Sequence, residues 1–166
     1  MSTRQPQIAF SAREFRDTLG HFASGVTVVT AVLDGVPAGL TCQSFFSVSL
    51  EPPLVSFSVA VSSLTYPVIR DAGAFCVNVL AHTQRHVSDQ FARSGGDKWR
   101  GIAWRPTAAG NPVIEGAHIW IDCLLEAEHR AGDHHIVIGR VRELGPASGA
   151  AGRPLLYYRG GYHTFG

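Results

Sequence analysis

Two short segments contain the residues whose types and spacing could do chemistry. The first is Thr41-Cys42-Gln43-Ser44-Phe45, with Ser47 shortly after it, which places hydroxyl and amide groups directly behind an apolar stretch. The second is Gly132-Asp133-His134, a polar turn that puts a histidine at the start of an apolar run. Free backbone N–H groups in a loop of small polar residues can bind the carbonyl and nitrogen edge of a flat heterocycle. Together the segments predict a site for a flat, hydrogen-bonding ligand that carries a phosphate. The alternative for the first segment is a loop whose hydroxyls cap its own backbone.

A further group of hydroxyls stands where one predicted strand ends and a predicted helix begins. The first turn of a helix attracts phosphate through its oriented N–H groups and the macrodipole. Lys98 and Arg100, which follow a Gly-Gly loop, could add positive charge to such a phosphate. The alternatives are a serine N-cap without a ligand and two ordinary surface cations. The hydroxyl group consists of Ser58, Ser62, Ser63 and Thr65.

Histidine and aromatic residues supply the remaining candidates. Asp133 could orient or charge the imidazole of His134, or the turn could be purely structural. Tyr158 belongs to an aromatic cluster over residues 157–162 that could fill a core, form an interface or stack on a planar ring. His134 and His135 are adjacent and face opposite sides of a strand, so they do not predict a shared metal ion. The sequence has no glycine-rich Rossmann motif, no phosphate-binding P-loop and no nucleophile elbow.

The elements that must hold these residues are mostly short strands. A capping box at Ser11 and Glu14 predicts a first helix that carries Phe15, Leu19 and Phe22 on one face and ends near Ser24-Gly25. Asp34-Gly35 predicts a hairpin turn. The many short strands with turn signals predict a mainly β fold, an antiparallel barrel with a few short helices. The predicted strands are 26–33, 36–42, 54–59, 75–80, 119–128, 136–144 and 155–158, the further helices are 66–71 and 83–93, and the segments 41–49, 94–97 and 145–152 are loops.

Size and composition limit the class of protein. The 166 residues fit an arm over residues 1–10 and one domain over 11–166. Charged residues are only 16% of the chain, which predicts that a second subunit covers part of the surface. A net charge of +1 gives no electrostatic case for nucleic acid or an anionic membrane. Three cysteines in apolar surroundings, no signal peptide and no membrane-spanning run predict a cytoplasmic protein.

In motif order and spacing, the chain resembles the short-chain flavin reductases, the reductase partners of two-component flavin monooxygenases. The resemblance extends from about Phe15 to Tyr162. Each motif alone is weak, but the ordered set is specific. The matching motifs are Phe15-Arg16-Asp17-Thr18-Leu19-Gly20-His21-Phe22, Ala23-Ser24-Gly25-Val26-Thr27-Val28-Val29-Thr30, Gly39-Leu40-Thr41-Cys42-Gln43-Ser44-Phe45, Ser47-Val48-Ser49, Pro52-Pro53-Leu54-Val55, Phe75-Cys76-Val77-Asn78-Val79-Leu80 and Gly132-Asp133-His134.

The resemblance implies a split β-barrel of Greek-key type, usually a homodimer, that reduces FMN or FAD with NADH or NADPH. The reduced flavin would diffuse to a separate oxygenase. By position, residues 41–45 would hold the isoalloxazine largely through backbone groups, and His134 would contact the nicotinamide nucleotide. Gln43 stands where relatives often have asparagine, and His135 receives no role. The predicted cofactor-binding set is Thr41, Cys42, Gln43, Ser44, Phe45, Ser47, Ser58, Ser62, Ser63, Thr65, Lys98, Asp133, His134 and Tyr158, with Ser62, Ser63 and Thr65 at the phosphate.

Two other functions fit the same barrel. One is an FMN-dependent oxidase of the pyridoxamine-phosphate type, which holds its flavin tightly and takes electrons from an amine. The other is a flavin-binding module without catalytic activity, in which the histidine turn is structural. A Gly-Asp-His turn beside a complete flavin loop argues against both, because neither function needs it.

Overall fold

A computed structural model describes residues 9–146 and 152–165 of the chain. The predicted arm therefore lies mostly outside the described residues, as does most of the predicted 145–152 loop. No helix in the described part of the chain is long and apolar enough to span a membrane. The helices are α1 (Ala12–Leu19), α2 (Tyr66–Ala72) and α3 (Arg85–Ala92). The strands are β1 (Ser24–Gly25), β2 (Thr27–Leu33), β3 (Val36–Cys42), β4 (Phe46–Leu50), β5 (Pro53–Ala60), β6 (Ala74–Val79), β7 (Trp104–Pro106), β8 (Pro112–Ile114), β9 (Ile119–Ala131), β10 (His134–Pro146), β11 (Leu156–Tyr158) and β12 (Gly161–His163).

The main sheet is antiparallel and has the strand order β3-β2-β6-β9-β10-β5-β4. Its two outer strands, β3 and β4, are joined by only residues 43–45. Such a connection spans at most about 14 Å, whereas the edges of a flat seven-stranded sheet lie about 29 Å apart. The sheet must therefore curl until its edges approach each other. This curl confirms the predicted barrel and locates its split at residues 43–45.

Large apolar side chains fill the inside of the curled sheet. Phe57 and Phe75 are fully buried and meet edge to face, with ring centroids 5.2 Å apart. Gly139 leaves room for this pair, since a Cβ atom there would lie 2.5 Å from the Phe75 ring. The register of β9 and β10 shifts beside Gly139, and such irregularities increase the bend and twist of long strands.

The β2–β3 hairpin follows the predicted turn. Asp34 and Gly35 both have positive φ angles, 51° and 78°, which is the backbone of a type I′ turn. Its right-handed twist matches the flanking strands, and Leu33 pairs with Val36. The prediction of both strands and of their connection is confirmed.

Two predicted element boundaries are wrong. The first helix begins with the predicted capping box but ends at Leu19. Ser24 and Gly25 instead form β1, which pairs with β11, because strand pairing outweighs a weak glycine stop signal. The predicted loop 41–49 ends at Phe45, since Phe46–Leu50 forms β4 against β5. The face of α1 that carries Phe15 and Leu19 is exposed rather than packed on the barrel.

Candidate functional site

A cavity of about 710 Å³ opens at the split of the barrel. Five separate parts of the chain line it: the end of β3, the end of β5, the loop before α2, the end of α3 with the loop after it, and the start of β10. The curl of the sheet brings these parts together, although they lie up to about ninety residues apart in sequence. Ten predicted site residues line this cavity: Thr41, Cys42, Gln43, Ser44, Ser58, Ser62, Ser63, Thr65, Lys98 and His134.

Side-chain hydrogen bonds hold the 43–45 connection in place. The Ser44 hydroxyl donates to the Ser58 carbonyl at 2.9 Å and accepts from the Ser58 N–H at 2.7 Å. The Ser44 hydroxyl thus takes the place of a backbone strand partner for Ser58 across the split. The Thr41 hydroxyl donates to the carbonyl of Ser88 on α3 at 2.7 Å. These hydroxyls therefore tie the loop to β5 and α3, and they do not cap the loop's own backbone as the alternative interpretation expects.

The backbone of the same connection remains available to a ligand. Within the described residues, no backbone–backbone hydrogen bond uses the N–H of Gln43 or Phe45, whereas the Ser44 N–H interacts with the Cys42 thiol. Cys42 lies just before them with its Sγ atom 3.0 Å from the Ser44 hydroxyl oxygen, and burial raises the pKa of its thiol. A neutral thiol and the free amides of Gln43 and Phe45 make this connection rich in donors, which fits the carbonyl and nitrogen edge of a flat heterocycle.

The other end of the cavity carries a positive charge that protein carboxylates do not balance. Lys98 Nζ donates to the Thr65 hydroxyl at 3.2 Å and to the carbonyls of Phe91 and Gly39 at 3.3 and 3.4 Å. Among the described residues, no carboxylate lies within ion-pair distance of Lys98. Partial burial lowers the pKa of this amine. A half-buried cation with only neutral oxygen partners fits a phosphate group.

The hydroxyls near Lys98 differ in their contacts and exposure. The Ser63 hydroxyl accepts a hydrogen bond from the Tyr66 N–H at 3.1 Å and so supports the first turn of α2, although the N-cap residue is Thr65, which makes no side-chain capping bond. Ser62 is exposed at the cavity wall. Thr65 contacts Lys98 and so lies at the charged end.

His134 stands at the start of β10, where its ring is about half exposed, at 47%. Its Nδ1 atom lies 2.8 Å from Asp133 Oδ1, and this hydrogen bond lowers the pKa of the Asp133 carboxyl. With Nδ1 held by the carboxylate, Nε2 is the ring nitrogen left for a ligand. The Asp133 carbonyl accepts from the Val61 N–H at 2.9 Å, which ties this turn to the loop that carries Ser62 and Ser63.

Four predicted residues lie outside the lining of this cavity. Phe45 is half-buried and packs against the barrel core, and Ser47 lies on β4 opposite Val55. Asp133 is not part of the lining, and its carboxylate contacts the His134 ring. Tyr158 lies in the separate β1-β11-β12 sheet, with its ring edge-on to His21 at a centroid distance of 6.5 Å.

Sequence reasoning missed part of the cavity wall. Leu64, Phe91 and the segment Arg93-Ser94-Gly95 also line it. Arg93 directly precedes the Gly-Gly loop, so a cation beside a glycine-rich segment was the available signal. Leu64 and Phe91 had none, because apolar residues in a ligand wall look like core residues in sequence.

His135 takes part in a different cluster behind the cavity. The Tyr66 hydroxyl donates to Glu128, and His135 Nδ1 lies 3.3 Å from the other oxygen of that carboxylate. Burial and the carboxylate raise the pKa of Tyr66. Because Tyr66 begins α2, this cluster fixes the helix whose entrance lines the cavity.

Comparison with known proteins gives one consistent result. A family model described as the flavin reductase like domain matches residues 19–166. The chain is 47% identical over 150 residues to the reductase subunit of a flavin-dependent monooxygenase from Mycobacterium tuberculosis, covering 90% of this chain and 80% of that protein. It is 48% identical over 158 residues to a flavin reductase from Pseudomonas putida, covering 95% and 92%. A solved NADH:FAD oxidoreductase from Streptomyces globisporus, in complex with NAD and FAD fragments, superposes with a TM-score of 0.86 at 31% identity, covering 93% of this chain and 92% of that one.

Proposed function

The chain belongs to the flavin reductase-like domain family, and from this premise we propose that it reduces FMN or FAD with NADH or NADPH and releases the reduced flavin to a separate monooxygenase. One observation carries the proposal. The cavity at the barrel split joins a connection with free amides, an unbalanced lysine and a histidine turn in one space. These are the groups that a flavin ring, its phosphate and a nicotinamide nucleotide need.

Each part of a flavin has a corresponding part of the cavity. The free amides of residues 43–45 would hold the ring edge, and Lys98 with Thr65 would hold the phosphate. Ser62, on the exposed wall, would add a hydroxyl to the phosphate. His134 would contact the nicotinamide nucleotide through Nε2.

The protein contributes position rather than proton transfer. When bound, the flavin and the reduced nicotinamide supply the hydride chemistry themselves. The residues of the cavity would hold the two rings close together and exclude unproductive orientations, which would lower the entropic part of the barrier. His134 acts as a contact for the nucleotide, and Asp133 orients its ring. Because Gln43, Ser62 and Leu64 are exposed, the cavity stays open to solvent and suits the release of a reduced flavin.

We further propose a homodimer in the cytoplasm. Helix α1 has no buried residue, and its apolar side chains Phe15 and Leu19 are more than half exposed. Leu50 on β4 is 93% exposed at the edge of the main sheet. Exposed apolar groups of this size favour coverage by a second subunit. Analytical ultracentrifugation measures the mass directly, and a monomer at all concentrations contradicts this proposal.

The activity is tested by following NADH oxidation through its absorbance while FMN, FAD and riboflavin are supplied in turn. We expect oxidation that depends on added flavin, and acceptance of reduced flavin by an oxygenase that is separated by a dialysis membrane. A protein that keeps its flavin through purification and ignores NADH and NADPH contradicts the proposal and favours an amine oxidase. Saturable flavin binding without NADH or NADPH oxidation favours a binding module instead.

A further inference from the structure

We infer that an apolar cavity beside Lys98 binds the adenosine of FAD, with Arg93 and Lys98 at the diphosphate, so that FAD is the preferred flavin of this protein. The inference rests on the proposed function and concerns the same site. It names a choice between FMN and FAD that the family membership leaves open.

The apolar cavity continues directly from the charged end of the flavin cavity. It has a volume of about 520 Å³ and shares Leu64, Thr65, Gly95 and Lys98 with the first cavity. A phosphate bound by Lys98 and Thr65 therefore stands at the junction of the two spaces. FMN ends at that junction, whereas FAD continues beyond it with a second phosphate and an adenosine.

Positive charge at the junction exceeds what one phosphate needs. A third cavity of about 260 Å³ also meets Gly95 and Lys98, and Arg93 and Arg100 line it. Arg93 lines the first and third cavities and forms no ion pair within the described residues. Asp97 is the one acidic residue in these linings, and its carboxylate accepts a hydrogen bond from the Trp99 N–H at 3.0 Å. Two or three cations against one carboxylate suit a diphosphate.

The chemistry of the apolar cavity suits an adenine ring. Its wall is mainly apolar, with Val36, Pro37, Val68 and Trp99 around the opening. Val36 and Leu64 are 64% and 83% exposed, which is unusual for two large apolar side chains that face the same space. A flat, weakly polar base would cover them, and burial of apolar surface would add to the affinity.

The adenosine of NADH carries the same diphosphate, but the position of the cavity favours FAD. His134, the expected nicotinamide contact, lines the first cavity and neither of the other two. The residues that the first cavity shares with the apolar cavity are those at the proposed position of the flavin phosphate. The adenosine site is thus continuous with the flavin and not with the nicotinamide.

Isothermal titration calorimetry of FAD, FMN, riboflavin and NAD⁺ tests the inference without any turnover. The variant Val36→Glu places a carboxylate in the apolar cavity, and Leu144→Glu is its control on β10, with a matched exposure of 66%. We expect the parent to bind FAD about tenfold more tightly than FMN, and Val36→Glu to lose about that factor for FAD alone. Leu144→Glu should bind all four ligands as the parent does.

Two results would overturn the inference and leave the proposed function intact. One is equal affinity for FMN and FAD with no selective effect of Val36→Glu. The other is a variant that loses NAD⁺ affinity while FAD binding stays unchanged, which would assign the cavity to the nicotinamide nucleotide. A parent protein that binds no flavin at all overturns the proposed function as well.

Discussion

Lys98 is the residue that we propose as the main contact of the flavin phosphate. Its ammonium has three neutral oxygen partners and no described carboxylate neighbour. We expect Lys98→Met to weaken FMN binding about tenfold or more, because a charge-assisted bond to phosphate is worth about 1.5–3 kcal/mol. Riboflavin, which lacks the phosphate, should bind as before. Flavin titration measures both affinities.

Arg13→Met is the control for Lys98, since it removes the same charge from the exposed surface of α1. It should leave both affinities unchanged. Equal weakening of FMN and riboflavin in Lys98→Met would mean that the lysine only supports the fold through its carbonyl partners.

We propose that His134 contacts the other substrate, the nicotinamide nucleotide. Because Asp133 holds Nδ1 and leaves Nε2 for the nucleotide, His134→Ala should raise the apparent KM for NADH while flavin affinity stays near normal. Steady-state kinetics and a separate flavin titration give the two values. Equal losses of NADH and flavin affinity would argue against a role in nucleotide binding.

At the scale of elements, the packing of α3 on β3 builds the charged end of the cavity. A Cβ atom at Gly39 would lie 2.7 Å from the Phe91 ring, and the carbonyls of both residues accept from Lys98. Gly39→Ala should therefore push α3 from the sheet and lower the free energy of unfolding by about 1–3 kcal/mol. Urea denaturation measures this change, and FMN affinity should fall with it.

The control for this element is Gly25→Ala on β1, where nothing lies within 4 Å of an added Cβ atom. Its free energy of unfolding should stay within about 0.5 kcal/mol of the parent. A Gly39→Ala variant as stable as this control would show that α3 can shift without strain.

At the scale of the whole molecule, buried acids make the fold sensitive to alkali. Burial raises the pKa of Cys123 from its ordinary 9.0 to about 12, and it also raises the pKa of Cys76 and Tyr66. Each of these groups has a higher pKa in the folded state than in the unfolded chain. The stability linked to its protonated form is fully present below the unfolded-state pKa, and it is lost as the pH rises through the folded-state pKa. The urea midpoint should therefore fall steeply above about pH 9.

Cys123→Ala tests the cause of this loss. The cavity it creates lowers stability at every pH, but the fall above about pH 9 should be shallower than in the parent. Identical slopes for parent and variant would assign the alkaline loss to other groups.

Local signals predicted much of the fold and of the site. The capping box at Ser11, the Asp34-Gly35 turn and the β2, β3, β5 and β6 strands depend on neighbouring residues, so sequence alone located them. The strands and turn signals also predicted an antiparallel barrel, and the family resemblance, now confirmed by the family match, added its split Greek-key type and the reductase activity. The sequence did not predict the end of α1 or the strand β4. The pairing of β1 with β11 decided the first, and the pairing of β4 with β5 decided the second.

Residue types and motif order predicted which groups line the cavity: a polar loop, a lysine after two glycines and a histidine turn. Only the tertiary structure decided how they act. The curl of the sheet makes Ser44 a bridge to Ser58 and leaves neighbouring amides free. It also places Arg93 beside Lys98 and opens an apolar cavity beyond them. The physical reason is that hydrogen-bond partners and cavities arise between segments distant in sequence, which no local pattern records.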